Sequence, residues 1–411
     1  MGEKAEDGIN VMIFRTLVVL GSAVIAVALF GGAADASTSP RQDWEHLVGW
    51  YQLGDERQAL LTWAADGDLR LAGPGEPYFS HPFRSQPDGS FLWQPDKNDT
   101  ERTRTVQFRV AGGGQTVGFD WVSEDGDSGF VPRVHRQPYA LRELEYRNDQ
   151  VRLSGTLLIP DAEQPLPAAA MIHGSGDSDR DNLWYLAIAD HLARNGIAVL
   201  LPDKRGCGRS GGDWKTSSLE DLAKDTGAAV EAVRRQDGVD PIRIGLLGCS
   251  QGGSIAPLAA SLTPDLAFVA SLAGGVATFN ELLLHESRQT LRQNGLPGLL
   301  ADGFAPLAAA IARLRRPVWW KKNGKFDPLP YWTRLEIPAL IVYGGEDEQD
   351  NVPVALSVER LRKAGPRDLR LEVYPDSGHA LFLPDTQTVR PDFLSLLATW
   401  IHQSSGDELR Q

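Results

Sequence analysis

The spacing of apolar residues divides the chain into two parts with different rhythms. In residues 37 to about 140 the apolar runs are short, and turn signals such as Asp66-Gly67 and Asp88-Gly89 separate them. Asp-Gly between alternating apolar runs is typical of β-hairpins. The pattern predicts a small all-β domain, a meander that could close into a barrel or sandwich, with strands at 58–63, 69–72, 91–94, 105–110 and 116–122.

Five tryptophans of this first part have two interpretations. They either fill a small core, which is favoured because aromatic residues supply much of the burial in small domains, or line a ligand-binding face. They are Trp44, Trp50, Trp63, Trp93 and Trp121.

From residue 141 to the end, short apolar runs alternate with helical stretches. Strands alternating with helices indicate βα units and a mostly parallel sheet. Ser217-Ser218-Leu219-Glu220 is interpreted as a capping box that starts a helix running toward Gln236. The strands are expected at 141–146, 151–159, 168–172, 198–201, 242–247, 268–272, 339–343 and 369–374.

A helical insertion at residues 276–335 interrupts this alternation. It follows the strand 268–272 and precedes the strand 339–343, so we expect it to emerge beside the active site and cap it. Trp319 and Trp332 are its candidate pocket residues. The alternative is that these indoles only pack the insertion onto the body, because aromatic clusters belong to cores more often than to sites.

The first 36 residues have the pattern of a secretory signal peptide. Arg15 precedes an apolar run from Leu17 to Phe30, and Ala34-Asp35-Ala36 supplies an A-x-A-like cleavage site. Such a signal would direct export to the periplasm or the exterior, and its cleavage would leave no stable membrane span. The competing interpretation is an uncleaved anchor, although the run is short for a span of about 20 residues.

Composition excludes some classes of partner. The 411 residues carry 41 basic and 54 acidic side chains, a net charge of −13, and phosphate backbones need a basic face, so nucleic acid is not an expected partner. The length favours a small domain beside a larger one. We find neither a zinc-ligand cluster nor a dinucleotide fingerprint, so no metal or cofactor is expected. The oligomeric state stays open.

The strongest chemical signal is Gly248-Cys249-Ser250-Gln251-Gly252, which directly follows the strand 242–247. G-x-S-x-G alone is a weak motif, but between a strand and a helix it predicts a nucleophile elbow with Ser250 exposed at a sharp turn. The alternative is a glycine-rich βα turn with a passive serine.

A second signal, His173-Gly174-Ser175-Gly176, follows the strand 168–172. A loop of this type supplies one backbone N–H to an oxyanion hole, and the residue after the nucleophile supplies the other. We expect Gln251 and Ser175 as donors, with Gly174 the next choice, each worth on the order of 3 kcal/mol. The His173 imidazole is expected to hold the loop rather than to transfer protons.

The base and its acid come late in the chain. Of eight histidines, only His379 lies in a loop after a late strand, where the chain order Ser…Asp…His places the base. Its acid should follow the strand 339–343. Asp347 is favoured because it lies four residues beyond Tyr343. Counting back from Val352-Pro353 favours Asp350 instead, and Glu346 is a distant third.

With these motifs, residues 141–402 resemble bacterial α/β-hydrolases of the prolyl-oligopeptidase-like and dienelactone-hydrolase-like group. The resemblance implies an α/β-hydrolase fold and a catalytic domain at 141–411. It also implies that one strand separates those preceding Cys207 and Cys249, so we expect two free, buried thiols. The matching segments are 155–160, 173–180, 202–210, 248–253, 344–353 and 377–379.

The combined expectation is a serine hydrolase that cleaves a small carboxylic ester or other acyl substrate, such as a thioester, through an acyl-enzyme. A peptidase on the same triad is the nearest alternative, since the fold does not fix the substrate. A catalytically idle hydrolase fold that serves as a binding module is the alternative from another class.

Overall fold

The computed structural model describes residues 44–53, 57–64, 66–73, 82–93, 103–134, 137–386 and 388–406. The predicted signal peptide, residues 1–36, lies outside the described residues.

Two antiparallel sheets form the first part of the chain. Both are meanders, as the turn signals predict, because their strands are ordered as in the sequence. Strands β1, β4 and β8 were not predicted; β1 and β4 have four and two residues, too few for a recognisable alternation. The first sheet contains β1 (Gly49–Gln52), β2 (Gln58–Trp63) and β3 (Leu69–Ala72), and the second contains β4 (Arg84–Ser85), β5 (Phe91–Trp93), β6 (Arg104–Val110), β7 (Thr116–Ser123) and β8 (Ser128–Pro132).

Aromatic residues from both sheets meet in one core. Trp63 and Trp93 are buried in it, and Trp44 and Trp121 pack against it, so the tryptophans fill a core as favoured. Trp50 is buried elsewhere: its ring lies 5.2 Å from that of Tyr139 and 5.1 Å from the Arg194 guanidinium. Trp50 therefore joins the β-rich part to the second part of the chain.

An eight-stranded sheet organises the second part, in the order β9-β10-β12-β11-β13-β14-β15-β16. Strands β11 to β16 are mutually parallel, and β10 runs antiparallel to its neighbours β9 and β12. Every strand predicted in this region is present. The strands are β9 (Ala140–Asn148), β10 (Val151–Ile159), β11 (Leu166–Ile172), β12 (Ala198–Pro202), β13 (Val239–Cys249), β14 (Val269–Leu272), β15 (Ala339–Gly344) and β16 (Leu369–Tyr374).

Helices cover both faces of this sheet, so its central strands are buried. Helices α1 (Leu183–Arg194) and α9 (Pro391–Ser404) pack on one face. Helices α2 (Leu219–Arg234), α3 (Gln251–Leu262) and α8 (Val354–Ala364) pack on the other. The carboxyl ends of the parallel strands meet at one edge of such a sheet, which is where ligands bind in open α/β folds.

The start of α2 differs by one residue from the prediction. Ser218, not Ser217, is the N-cap: its hydroxyl accepts from Asp221 N at 3.1 Å, and the Asp221 carboxylate accepts from Ser218 N at 2.8 Å. Ser217 instead donates its hydroxyl to Asp213 O. The capping box thus uses the aspartate at the third helical position rather than Glu220.

The region 276–335 is helical, as predicted. Its helices are α4 (Phe279–Gln293), α5 (Gly298–Arg315), α6 (Pro317–Asn323) and α7 (Leu329–Trp332). Leu291 and Leu296 pack against Ala301 and Ala305, which joins α4 to α5. None of the helices among the described residues is long and apolar enough to cross a membrane.

Both cysteines are free and buried, which confirms the expectation. Cys207 follows β12 and Cys249 ends β13, and β11 lies between these two strands. Burial raises the pKa of the Cys249 thiol far above its ordinary value, so this side chain stays protonated beside Ser250.

Candidate active site

The turn after β13 forces Ser250 into a strained conformation. Ser250 has φ 55° and ψ −123°, an unusual backbone for a residue with a side chain, and such residues cost on the order of 1–3 kcal/mol. A hydrogen bond of 2.7 Å from Ser250 N to Leu272 O ties the turn to the end of β14. Helix α3 begins at the next residue, Gln251. The predicted strand–turn–helix context of the G-x-S-x-G motif is therefore present.

Two glycines of the motif permit this turn by close backbone approach. A Cβ at Gly248 would lie 2.3 Å from Gly252 O, and a Cβ at Gly252 would lie 2.1 Å from Ile172 O. Both distances are far inside van der Waals contact, so a side chain at Gly248 would clash with the first turn of α3, and one at Gly252 would push the turn away from β11. The motif needs small residues here for steric reasons.

The loop after β11 passes directly beside Ser250. A Cβ at Gly174 would lie 3.0 Å from Ser250 Cβ. The Gly174 N–H is already used, because it donates to the Tyr185 hydroxyl at 2.7 Å. Ser175 is exposed at the same edge. The geometry thus favours Ser175 over Gly174 as the oxyanion donor from this loop. Gln251 is the first residue of α3, so its N–H has no acceptor within the helix.

His173 holds this loop to the next strand. Its Nε2 lies 2.5 Å from Pro202 O, and its Nδ1 lies 3.0 Å from the Ser178 hydroxyl. Burial lowers the pKa of His173 to about 4, so the ring is neutral at pH 7. Both ring nitrogens are engaged by structural partners, which agrees with the positioning role expected from the sequence.

Lys204, a residue that sequence reasoning passed over, supports the same loop. Its ammonium donates to Gly174 O at 2.7 Å and to Gly176 O at 3.0 Å, and it lies 4.3 Å from the centre of the Trp214 ring. Burial lowers the pKa of Lys204 to about 7. The only signal in the sequence was a lysine two residues beyond the buried strand β12, within the segment 202–210.

His379 and Asp347 meet above the ends of β15 and β16. His379 Nδ1 lies 2.7 Å from Asp347 Oδ2, and the Asp347 side chain is completely buried while 23 % of the His379 side chain is exposed. Asp347 Oδ1 also accepts from Asn351 N at 3.2 Å. The second acid candidate, Asp350, is exposed and bonds to Asn351 and Gln293 instead. Glu346 is likewise exposed.

The electrostatic balance at His379 favours a proton. Burial lowers the pKa of His379, but the hydrogen bond and the charge of Asp347 outweigh it, with smaller contributions from Asp350 and Glu286. The net result is a pKa above the ordinary value of 6.5. An imidazole with this pKa and an oriented Nδ1 is suited to accept a proton at its other nitrogen.

Ser250 and His379 face the same edge but are not bonded to each other. Within the described residues, no hydrogen bond joins the Ser250 hydroxyl to His379. Catalytic hydrogen bonds are often long without substrate. Two consecutive residues of α1 lie near these two side chains. The Tyr185 hydroxyl accepts from Gly174 N, beside Ser250, and the centre of the Trp184 ring lies 6.2 Å from that of the His379 ring.

Trp319 and Trp332 are buried in the core of the hydrolase part. Their exposed fractions are 4 % and 1 %, and both belong to the cluster that packs α2, α3 and α8 on the sheet. The Trp319 ring lies 5.7 Å from the Phe279 ring. These positions favour the alternative interpretation, in which the indoles fasten the insertion to the body.

The insertion also contacts the acid loop. Gln289 of α4 donates to Glu348 O at 2.9 Å, and Gln293 donates to Gln349 O at 3.0 Å. At its other end, Arg316 lies 4.8 Å from the centre of the Trp214 ring, which also contacts Lys204. The insertion therefore extends from the loop of Asp347 to Trp214, which contacts the lysine that holds the loop 173–176.

A family model described as the alpha/beta hydrolase family matches residues 170–391. The chain belongs to this family. The match includes Ser250, Asp347 and His379, together with the strands that precede them. Together with the observed sheets, it confirms the predicted fold class: an α/β-hydrolase sheet preceded by an all-β region.

The curated relatives of this chain include enzymes with different hydrolytic activities. The acylamino-acid-releasing enzyme of Rattus norvegicus is 26% identical over 60% of this chain and 32% of its own length. Esterase EstD of Thermotoga maritima is 24% identical over 59% of this chain and 61% of its own. An uncharacterized protein of Mycobacterium tuberculosis is 32% identical over 56% of this chain and 69% of its own.

The chain spans about a third of the length of the acylamino-acid-releasing enzymes that it matches. Among solved structures, an esterase of Pyrococcus furiosus is similar with a TM-score of 0.47 and 21% identity, over 66% of this chain and 95% of that chain. The curated relatives of this hydrolase family member thus include both an esterase and acylamino-acid-releasing enzymes.

Proposed function

We propose that this alpha/beta hydrolase is a serine hydrolase that cleaves a carboxylic ester or thioester through Ser250, His379 and Asp347. The observation that carries the proposal is the pair formed by His379 and the fully buried Asp347, 2.7 Å apart, at the sheet edge where the strained turn presents Ser250. A buried carboxylate on Nδ1 fixes the tautomer that leaves Nε2 free to accept a proton.

In this proposal His379 takes the Ser250 proton as the hydroxyl oxygen attacks the acyl carbonyl. The N–H groups of Ser175 and Gln251 receive the developing oxyanion, and collapse expels the alcohol or thiol with the proton from His379. Water, deprotonated by His379, then attacks the acyl-enzyme and releases the carboxylic acid and Ser250. Asp347 keeps its charge throughout and stabilises the imidazolium.

A peptidase that uses the same residues is the second candidate. Its support is the similarity to acylamino-acid-releasing enzymes, although the chain covers only a third of their length. The same attack and oxyanion serve both reactions. They differ in the leaving group that His379 protonates, which is an alcohol or thiol in the first reaction and an amine in the peptidase reaction.

A substrate panel tests the two candidates against each other. Nitrophenyl esters of increasing chain length, acyl-CoAs, and acylaminoacyl and dipeptidyl anilides would be compared with Ser250→Ala as the control. We expect ester or thioester hydrolysis, and a loss on the order of 10⁶ in kcat for Ser250→Ala and for His379→Ala. Faster anilide cleavage would select the peptidase. Activity retained by Ser250→Ala would contradict the nucleophile assignment.

Export to the periplasm or the exterior is part of the proposal. Its support is the signal-peptide pattern of residues 1–36. N-terminal sequencing of the protein recovered outside the cytoplasm should give a start near Ser37, whereas an intact N-terminus in the membrane fraction would point to an anchor.

A further inference from the structure

Helix α5 exposes an apolar face to water. Leu299, Gly303, Leu307, Ala310 and Leu314 follow one another at spacings of three or four residues, so they share one side of the helix, and all five are exposed. The exposed fractions of the three leucines are 89%, 56% and 76%. A helix on the surface of a soluble domain normally presents polar residues to water, so this face is the reverse of the usual arrangement.

The opposite side of α5 already has its partner within the molecule. Ala301, Ala305 and Ala309 are buried, and the first two pack against Leu291 and Leu296. The small alanine side chains bring α5 close to α4, while the larger leucines point away. The fold therefore gives the leucines no packing role among the described residues.

The charge beside this face is strongly positive. Residues 303–326 contain six basic residues and no acidic one, within a chain of net charge −13. Asp302, the one acidic residue of α5, is paired with Arg288 and Arg292 of α4 at 2.8 and 2.9 Å. The basic residues, all at least partly exposed, are Arg313, Arg315, Arg316, Lys321, Lys322 and Lys325.

We propose that the exposed face of α5, with the adjoining basic segment, docks on an anionic phospholipid surface. Leucines on one face beside lysine and arginine are the combination with which interfacial helices bind such membranes: the leucines enter the acyl boundary, and the cations attract the headgroups. The basic segment complements anionic headgroups, whereas a second copy docked on the same face by two-fold symmetry would place two basic segments against each other, so the charge favours lipid as the occupant. The membrane would contact α5 while α4 rests on the acid loop, which brings the active-site edge near the lipid.

Two kinds of variant test the docking in the full chain, where every variant keeps the same N-terminus. The native cysteines are buried, so Ala310→Cys can carry an environment-sensitive fluorophore on the proposed face. Ile242→Cys is the matched label, because Ile242 is 72% exposed at the amino end of β13, away from the catalytic edge. The vesicles contain phosphatidylcholine alone or mixed equally with phosphatidylglycerol.

We expect a blue shift of the label at position 310 with the mixed vesicles only, reversed by high salt, and none at position 242. In co-sedimentation, the triple variant Leu299→Glu, Leu307→Glu, Leu314→Glu should bind the mixed vesicles at least about tenfold more weakly than the wild type. Ile242→Glu should remain within about twofold of it.

Three results would overturn the proposal. The first is an unchanged spectrum at position 310 with the mixed vesicles, which does not depend on the triple variant folding. The second is equal binding by the triple variant and the wild type. The third is a dimer that the triple variant abolishes, without lipid binding, which would make a second copy the occupant. None of these readouts uses Ser250, so they stand apart from the fate of the proposed hydrolase activity.

Discussion

The β-rich part and the hydrolase part of the chain bury different kinds of side chain. Among the described residues 44–134, the buried polar residues are Ser90 and Thr116, neither of them charged, and the core is largely aromatic. The hydrolase part buries charged residues as well, among them Asp190, Asp203, Lys204 and Asp347, each less than 8% exposed. Both parts have well-packed apolar cores, so packing alone does not distinguish them.

Buried charges are costly unless they are paired, and here each of them has a partner. Asp203 binds Arg180, Asp190 binds Arg194, Lys204 binds two carbonyls, and Asp347 binds His379. Two of these arrangements, those of Lys204 and Asp347, lie at the loops around Ser250. The difference teaches that substitutions at buried charges near this edge should affect catalysis, whereas substitutions in the β-rich core should affect stability alone.

The largest expected effect in this comparison is that of Asp347→Asn. It should lower kcat by about 10⁴-fold, because the amide favours the wrong tautomer of His379. Asp350→Asn is the matched control in the same loop, and it should stay within a few-fold of the wild type because Asp350 is exposed and does not bond to His379. Steady-state kinetics would separate the two; a large loss confined to Asp350→Asn would reverse the assignment.

Lys204→Met should have the next largest effect. Removing the ammonium frees the carbonyls of Gly174 and Gly176, so the loop that carries the Ser175 N–H loses its support. We expect kcat to fall by about 10- to 100-fold, with a smaller change in KM. This decrease in kcat is no larger than the decrease caused by removing one oxyanion-hole donor. Lys215→Met is the control, because Lys215 also lies near the Trp214 ring, at 5.7 Å, but is exposed. Equal kinetics for the two variants would contradict a positioning role.

A smaller effect is expected on the low-pH limb of the kcat/KM profile when Asp350 loses its charge. His379 must be neutral to accept the Ser250 proton, so kcat/KM should fall as the pH drops through the pKa of His379, which lies above 6.5. The negative charge of Asp350 contributes to raising this pKa. Asp350→Asn should therefore move the limb to lower pH by a fraction of a unit, and a shift to higher pH would contradict this electrostatic account.

The smallest effect on activity is expected in the β-rich core. Tyr51 is fully buried, and its hydroxyl donates to Leu47 O at 2.6 Å. Tyr51→Phe keeps the ring contact with Phe119 and loses that hydrogen bond, so the free energy of unfolding should fall by about 1 kcal/mol. Denaturant unfolding would measure the change. Activity of the folded variant should match the wild type, and a kinetic defect would mean that this region does more than pack.

The central strands β11 to β15 were predictable because parallel strands buried on both faces give largely apolar runs. The loops that carry Ser250 and Asp347 were predictable for the same reason, since each follows such a run. The loop of His379 follows β16, in which apolar and charged residues alternate. The choice between Asp347 and Asp350 was not predictable, because both lie in one loop and only the three-dimensional path buries the first and exposes the second.

Lys204 was beyond reach of the sequence for another reason. Its acceptors are main-chain carbonyls of residues 30 and 28 positions away, and a main-chain acceptor has no residue type to recognise. The exposed leucines of α5 show the converse limit: an apolar helical run predicts a helix, but the run alone does not tell whether its face is buried or exposed.

Covalent labelling tests the central claim, that Ser250 is an activated nucleophile, most directly. A fluorophosphonate probe phosphonylates a serine only when a base activates it and an oxyanion hole receives the phosphoryl oxygen. Peptide mass spectrometry of the labelled native protein should find the adduct on Ser250, with Ser250→Ala unlabelled and Asp347→Asn labelled far more slowly. A native protein that takes no label at Ser250 would contradict the account and leave the fold as a binding module.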